Sequence, residues 1–294
     1  MRAFVLFFGL MLAALASIAI FSYPVWLLLY PHFDIKFHRM GERIGMLALV
    51  IGFILVARRV GLADKQSVGY ALPRPQFIRQ MLKGMGLGVV GMAAIVAIMT
   101  ELGLLDWTEA STATGGQVAK IVFNRLLSGL AVGFIEETML RGVMFAAIQR
   151  ESGTKAAIIL TSLVYSAVHF LASYHIAPDQ VTSTSGLDLL AGTLHWFSRP
   201  LDMADAFICL FAVGFVLATI RARTGNIAAG VGLHAGWVWV MLIAHELTKP
   251  VRDQPLSFLL SQFDGFVGWL VFAWTVLMGI LLVRFIYPPQ TSRA

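Results

Sequence analysis

Charge is what this sequence has least of. Lysine, arginine, aspartate and glutamate make up 13% of 294 residues, about half the share of an ordinary soluble domain. Hydrophobic residues make up 58%, and the mean hydropathy is +0.79. A soluble core has no place for so much apolar surface. Cysteine is nearly missing as well. Cys209 stands alone inside an apolar run, which excludes an intrachain disulfide framework and a thiolate metal cluster and leaves the residue as a small hydrophobe. No internal repeat or low-complexity stretch stands out. The formal net charge is +6, but the basic residues are scattered through short loops and form no single face. Anionic lipid headgroups explain them, and nucleic acid is not expected as a partner.

What the sequence does have is apolar runs long enough to cross a hydrocarbon core of roughly 30 Å at 1.5 Å per residue. They fall near 3–30, 44–60, 80–100, 118–149, 155–173, 204–221, 226–246 and 264–287. The fold class expected is therefore all-α, a polytopic membrane helical bundle of about eight transmembrane helices forming one membrane domain over 1–294. Met1-Arg2 followed by apolar residues resembles a secretory signal, but the run reaches about Tyr30, longer than a signal's apolar region. It reads as a retained first helix. Pro73 and Pro75 break regular helix in the 62–76 linker, because proline removes a donor and pushes its predecessor toward extended backbone. In the long 173–200 loop, the patch Leu187–Ala191 is expected to form a short interfacial helix.

Cytoplasmic loops retain lysine and arginine during insertion. Arg58, Arg59, Lys65, Arg74, Arg79 and Lys83 lie between the second and third spans, Arg150 and Lys155 after the fourth, Arg221 and Arg223 after the sixth, and Arg284 and Arg293 at the end. The connection after the third span carries Glu101, Asp106 and Glu109 and no basic residue. Both termini are expected in the cytoplasm, although Lys36, Arg39 and Arg43 fall on the other side. The expected location is a bacterial inner membrane.

The fourth span contains Glu136, Glu137 and Arg141. A charge at mid-bilayer costs about 2.5–3.5 kcal/mol on insertion scales, so such residues are kept for a use. Glu137 and Arg141 are neighbours on a helical face and can neutralise each other. Glu136 lies about 100° around the helix and is left to face a cavity. His169 in the fifth span and His234 in the seventh stand at comparable depth. Counted from Arg150, Lys155 and Arg223, Glu136, His169 and His234 lie about 21, 21 and 16 Å from the predicted cytoplasmic ends. Two chemistries suit this set: a carboxylate and an imidazole activating a water while a second imidazole stabilises an oxyanion, or a zinc ion held by Glu136, His169 and His234 with an open water position. Glycines at 129 and 133 and at 225, 230, 232 and 236 allow spans four and seven to approach closely, which would bring Glu136 to His234.

Glu136-Glu137-Thr138-Met139-Leu140-Arg141, Tyr165 to His169, and His234 together resemble the three motifs of the CPBP intramembrane proteases, the family that includes the CAAX prenyl endopeptidases and bacterial Abi proteins. Those motifs are Glu-Glu-x-x-x-Arg, aromatic-x-x-x-His and His-x-x-x-Asn. The first matches fully, the second has tyrosine where phenylalanine is common, and the third has Val238 in place of asparagine. The resemblance covers about 118–246. It implies an intramembrane endopeptidase acting on a membrane-associated peptide or lipidated protein, with Glu136 as general base, His169 assisting water activation and His234 stabilising the oxyanion. Glu137 and Arg141 would position the helix. The family is described both as metalloprotease and as glutamate protease. Of the two, the metal-free site is the one expected here.

Two other readings are weighed. A non-catalytic membrane scaffold or immunity-type protein keeping the fold is favoured by Val238, and a proton-coupled transporter would use the same buried groups as a relay. His175 and His195 are expected on a solvated loop, His245 and Glu246 at an interfacial helix end, and Asn124 outside the site. The tryptophans read as interfacial belts and the methionines as core.

Overall fold

The computed structural model describes residues 2–30, 32–33, 35–108, 114–171 and 174–288. Glu109 and Arg293, which enter the charge bias, and residues 172–173 of the fifth predicted span lie outside the described residues.

The chain is an all-α membrane bundle. Its long helices are α1 (Arg2–Leu29), α2 (Phe37–Arg59), α3 (Arg74–Glu101), α4 (Gly115–Glu136), α5 (Phe145–Val168), α7 (Ala204–Thr224), α8 (Ala228–Leu247) and α9 (Trp269–Leu281). The short α6 (Ser185–Thr193) is the interfacial helix expected in the long loop. Among the described residues, seven helical stretches are apolar and long enough to span. One of them, Gly115–Val168, runs 54 residues, about 80 Å at 1.5 Å per residue. No bilayer accommodates that as one span. Gly153, with φ 83° and ψ 168°, breaks it in two, and a left-handed backbone is what glycine adopts without penalty. Counted across that break, the spans are the eight expected. The fifth is shorter than expected: α5 ends at Val168 and His169 caps it. The second and third start earlier than their apolar cores, at Phe37 and Arg74, with Pro75 tolerated in the first turn of α3.

Large apolar side chains such as Leu28, Leu55, Val90, Leu127 and Phe285 stand exposed around the perimeter. In water such a surface would drive aggregation; in lipid it is the solvated face.

α8 is the centre of the bundle. Every residue from Ala228 to Gly236 is buried, because its glycines let neighbouring backbones close in on it from two sides. A Cβ added at Gly133 of α4 would stand 2.9 Å from the Val231 carbonyl, and one at Gly129 2.8 Å from the Ala235 carbonyl. The expected α4–α8 approach is therefore present. On the other side Gly236 faces the backbone of Met85 in α3, where a Cβ would lie 2.6 Å from its carbonyl oxygen. α7 and α8 are joined by a turn in which Gly225 takes φ 68° and the Asn226 side chain accepts from Ala228 N–H at 3.0 Å. This caps α8 at the end nearest His234.

A two-stranded ribbon, β1 (Leu105–Trp107) with β2 (Thr248–Pro250), was not foreseen. It ties the start of the α3–α4 connection to the end of α8 in antiparallel register, with Asp106 opposite Lys249. The 62–76 linker folds back onto the bundle: the Tyr70 hydroxyl donates to Thr138 Oγ1 at 2.6 Å, since Thr138 spends its own proton on the Phe134 carbonyl. Asp64 braces this loop. The N–H and hydroxyl of Ser67 both donate to its carboxylate and hold its pKa below the ordinary value.

Candidate active site

The backbone changes register where the acidic motif begins. Glu137–Met144 forms a π-helical stretch between α4 and α5, a feature that recurs at functional sites because it is retained at a cost in regular hydrogen bonding. The α-helical geometry assumed for Glu137 and Arg141 does not hold here, yet the two still meet, with Arg141 Nη1 donating to Glu137 Oε1 at 3.0 Å. Arg141 Nη2 donates to the Gly214 carbonyl of α7 at 3.1 Å. Both side chains are essentially inaccessible, at 0% and 1%. Arg221 of α7 is buried beside them, donating from Nε to the Arg141 carbonyl at 3.0 Å and from Nη2 to the Ser67 carbonyl at 3.3 Å. It clamps the π stretch to the linker.

The Glu137–Arg141 pair is not closed on itself. Glu137 Oε1 also accepts from His234 Nδ1 at 3.1 Å. Gly230, two residues before Gly232 on α8, makes room for this carboxylate, since a Cβ there would lie 3.0 Å from Glu137 Oε2. A carboxylate can only accept, so Nδ1 carries a proton, and with that single proton on the ring Nε2 is an acceptor. Glu137 thus holds the His234 ring as well as the Arg141 guanidinium.

Glu136 is placed as its offset around the helix suggested. It is partly exposed and lines an apolar cavity of about 400 Å³ between α1, α2, the π stretch and α5, with walls that include Met11, Leu49, Met139 and Val164. Its Oε2 atom is buried and has no protein hydrogen-bond partner. That oxygen lies 4.0 Å from His234 Nε2, just too far for a direct hydrogen bond.

His169 is not drawn to Glu136. No ion pair or hydrogen bond joins them among the described residues. His169 Nδ1 donates to the Tyr165 carbonyl at 2.7 Å, which leaves Nε2 as the free acceptor. With His234, Tyr165 and Val238 it lines a second cavity of about 270 Å³, walled also by Trp237, Trp274 and Asp264. The polar core therefore separates two chambers, with Glu136 on one and the two imidazoles on the other.

The sequence reading missed Tyr165 as a polar group. Its hydroxyl sits 3.4 Å from His234 Nε2, the Arg141 guanidinium lies 4.6 Å from its ring centre, and the His169 ring packs at 4.5 Å. The substitution of tyrosine for the commoner phenylalanine was the available signal. Asn124 is exposed on α4 and takes no part. His175 and His195 are exposed as expected, although His175 packs on the buried His38 ring at 3.9 Å.

Glu136, His169 and His234 were also the set for a zinc ion. Among the described residues no three His, Cys, Asp or Glu side chains converge as metal ligands, so this arrangement of donors does not fit a zinc site.

No curated protein and no solved structure matches the chain. A family model described as type II CAAX prenyl endopeptidase Rce1-like matches residues 118–240, the stretch that runs from α4 through the π segment, Tyr165 and His169 to His234 on α8. Through this stretch, somewhat under half of the chain, the protein is similar to the Rce1-like type II CAAX prenyl endopeptidases.

Proposed function

We propose that the chain is an intramembrane endopeptidase that hydrolyses a peptide bond of a membrane-associated or lipidated substrate with a water activated by Glu136. The observation that carries this reading is the Glu136 Oε2 atom, buried without a partner at the wall of an apolar cavity and 4.0 Å from an imidazole nitrogen. A carboxylate with an unused acceptor inside a membrane is poised to bind and deprotonate water. The cavity of about 400 Å³ beside it, open among lipid-facing helices, suits the apolar part of such a substrate.

In this mechanism Glu136 takes a proton from water as the water oxygen bonds to the scissile carbonyl carbon, and the carbonyl π pair moves onto oxygen. The tetrahedral intermediate collapses when the C–N bond breaks and Glu136 returns its proton to the leaving nitrogen. His234, held by Glu137, borders the reacting centre, and His169 offers an acceptor nitrogen on the side of the second chamber. The reaction uses no metal. Both termini face the cytoplasm of a bacterial cell, by the lysine and arginine bias of the loops.

The test is cleavage of a lipidated fluorogenic peptide by purified protein in proteoliposomes. Glu136→Gln is expected to abolish turnover, and unchanged cleavage by this variant would sink the proposal. Val238, apolar at the third motif, favours the second reading of a non-catalytic scaffold. That reading wins if a Glu136→Ala, His169→Ala double variant keeps full biological function.

A further inference from the structure

Hydrolysis of an amide needs a hydrogen-bond donor for the oxygen that becomes negative, and the donors around Glu136 can be counted. His234 spends its Nδ1 proton on Glu137, so the singly protonated ring has only an acceptor at Nε2. His169 spends its Nδ1 proton on the Tyr165 carbonyl and is left in the same condition. The Thr138 hydroxyl is taken by the Phe134 carbonyl and that of Ser166 by the Phe207 carbonyl. Arg141 borders neither chamber, and Val238 has no polar atom.

Beside His234 Nε2, the Tyr165 hydroxyl remains. It lies 3.4 Å from His234 Nε2, the same nitrogen from which Glu136 Oε2 is 4.0 Å. Base and hydroxyl thus both approach His234 Nε2, Glu136 from the first chamber and Tyr165 from the second. The contact at 3.4 Å is longer than a good O–H···N bond, so turning the proton to a stronger acceptor forfeits little. The ring itself is held, buried at 3% exposure beneath the Arg141 guanidinium and between the two imidazoles.

We propose that the Tyr165 hydroxyl is the donor that stabilises the oxyanion, a catalytic role on top of the peptidase reading on which it rests. Tyr165 forms no covalent bond and gives up no proton; its O–H hydrogen bond shifts from His234 Nε2 to the carbonyl oxygen as that oxygen gains the π pair. Position 238 lines the same chamber one turn beyond His234, where an amide side chain would offer a second donor.

The experiment compares wild type, Tyr165→Phe and Tyr165→Phe/Val238→Asn on a lipidated peptide and on a phosphinate analogue of that peptide at the cleaved bond. Tyr165→Phe is expected to lower kcat roughly 100- to 1,000-fold, the usual effect of losing one oxyanion donor. KM should hold, and phosphinate affinity should weaken by the factor lost from kcat/KM, because a donor to the transition state acts on its mimic and not on bound substrate. The double variant should recover part of both losses. A kcat for Tyr165→Phe within about threefold of wild type, or a loss of kcat with unchanged phosphinate affinity, overturns the role. If Glu136→Gln stops turnover while Tyr165→Phe does not, only this inference falls. If the wild-type chain cleaves nothing, both fall.

Discussion

Arg141 offers the sharpest test of how the polar core is held. Replacing it by leucine removes the donor at 3.0 Å from Glu137 Oε1 and the donor at 3.1 Å from the Gly214 carbonyl. It leaves a carboxylate at 1% exposure with His234 Nδ1–H as its remaining partner. Breaking a buried pair from one side costs about 3–5 kcal/mol, because the surviving charge is neither paired nor solvated. That is a large part of the whole stability of a typical domain. Replacing both members by leucine should cost less, since the charge leaves with its partner. What then remains is the unpaired His234 Nδ1–H, at about 1–3 kcal/mol for a buried donor without an acceptor. The double variant should accordingly be more stable than Arg141→Leu alone. Reversible unfolding in mixed detergent micelles, followed by tryptophan fluorescence, measures all three proteins on one scale. A single variant that loses under about 1 kcal/mol, or a double variant no more stable than the single one, would refute the view that Glu137 is an ionised group neutralised by Arg141.

Two further outcomes follow from the same geometry. Gly133→Val places branched carbon against the Val231 carbonyl, where even a Cβ would stand at 2.9 Å, and so wedges α4 from α8. Turnover should fall more than about tenfold through loss of the Glu136–His234 juxtaposition, while Gly9→Val, at a site with open space around it, should be silent. Equal activity in the two variants would contradict the proposed assembly. Metal removal is expected to leave cleavage unchanged, with less than one equivalent of zinc by elemental analysis. Loss of activity on chelation that zinc restores would overturn the metal-free mechanism.

How much of this was legible in the sequence depends on the range of each interaction. The spans were readable from apolar length alone, because the bilayer imposes one thickness on every helix. The four-residue interval of Glu137 and Arg141 and the glycine spacing on α4 and α8 were also readable, being local patterns along one helix. The π register of 137–144 was not, and neither was the return of the 62–76 linker, fixed by Tyr70 on Thr138 and by Arg221 on Ser67. Those depend on partners far along the chain.

The buried charges were evident from the outset in a sequence otherwise so poor in charge. The sequence by itself determined a membrane bundle and the identity of its ionisable residues, since both follow from the cost of placing polar atoms in lipid. Only the tertiary structure decided how those residues divide. Glu137 is shared between Arg141 and His234, Glu136 faces one chamber, and Tyr165 brings a hydroxyl into the other. The physical reason is that hydrogen bonding among buried groups is set by which helices touch and at what rotation, and no single helix's sequence encodes the rotation of its neighbours.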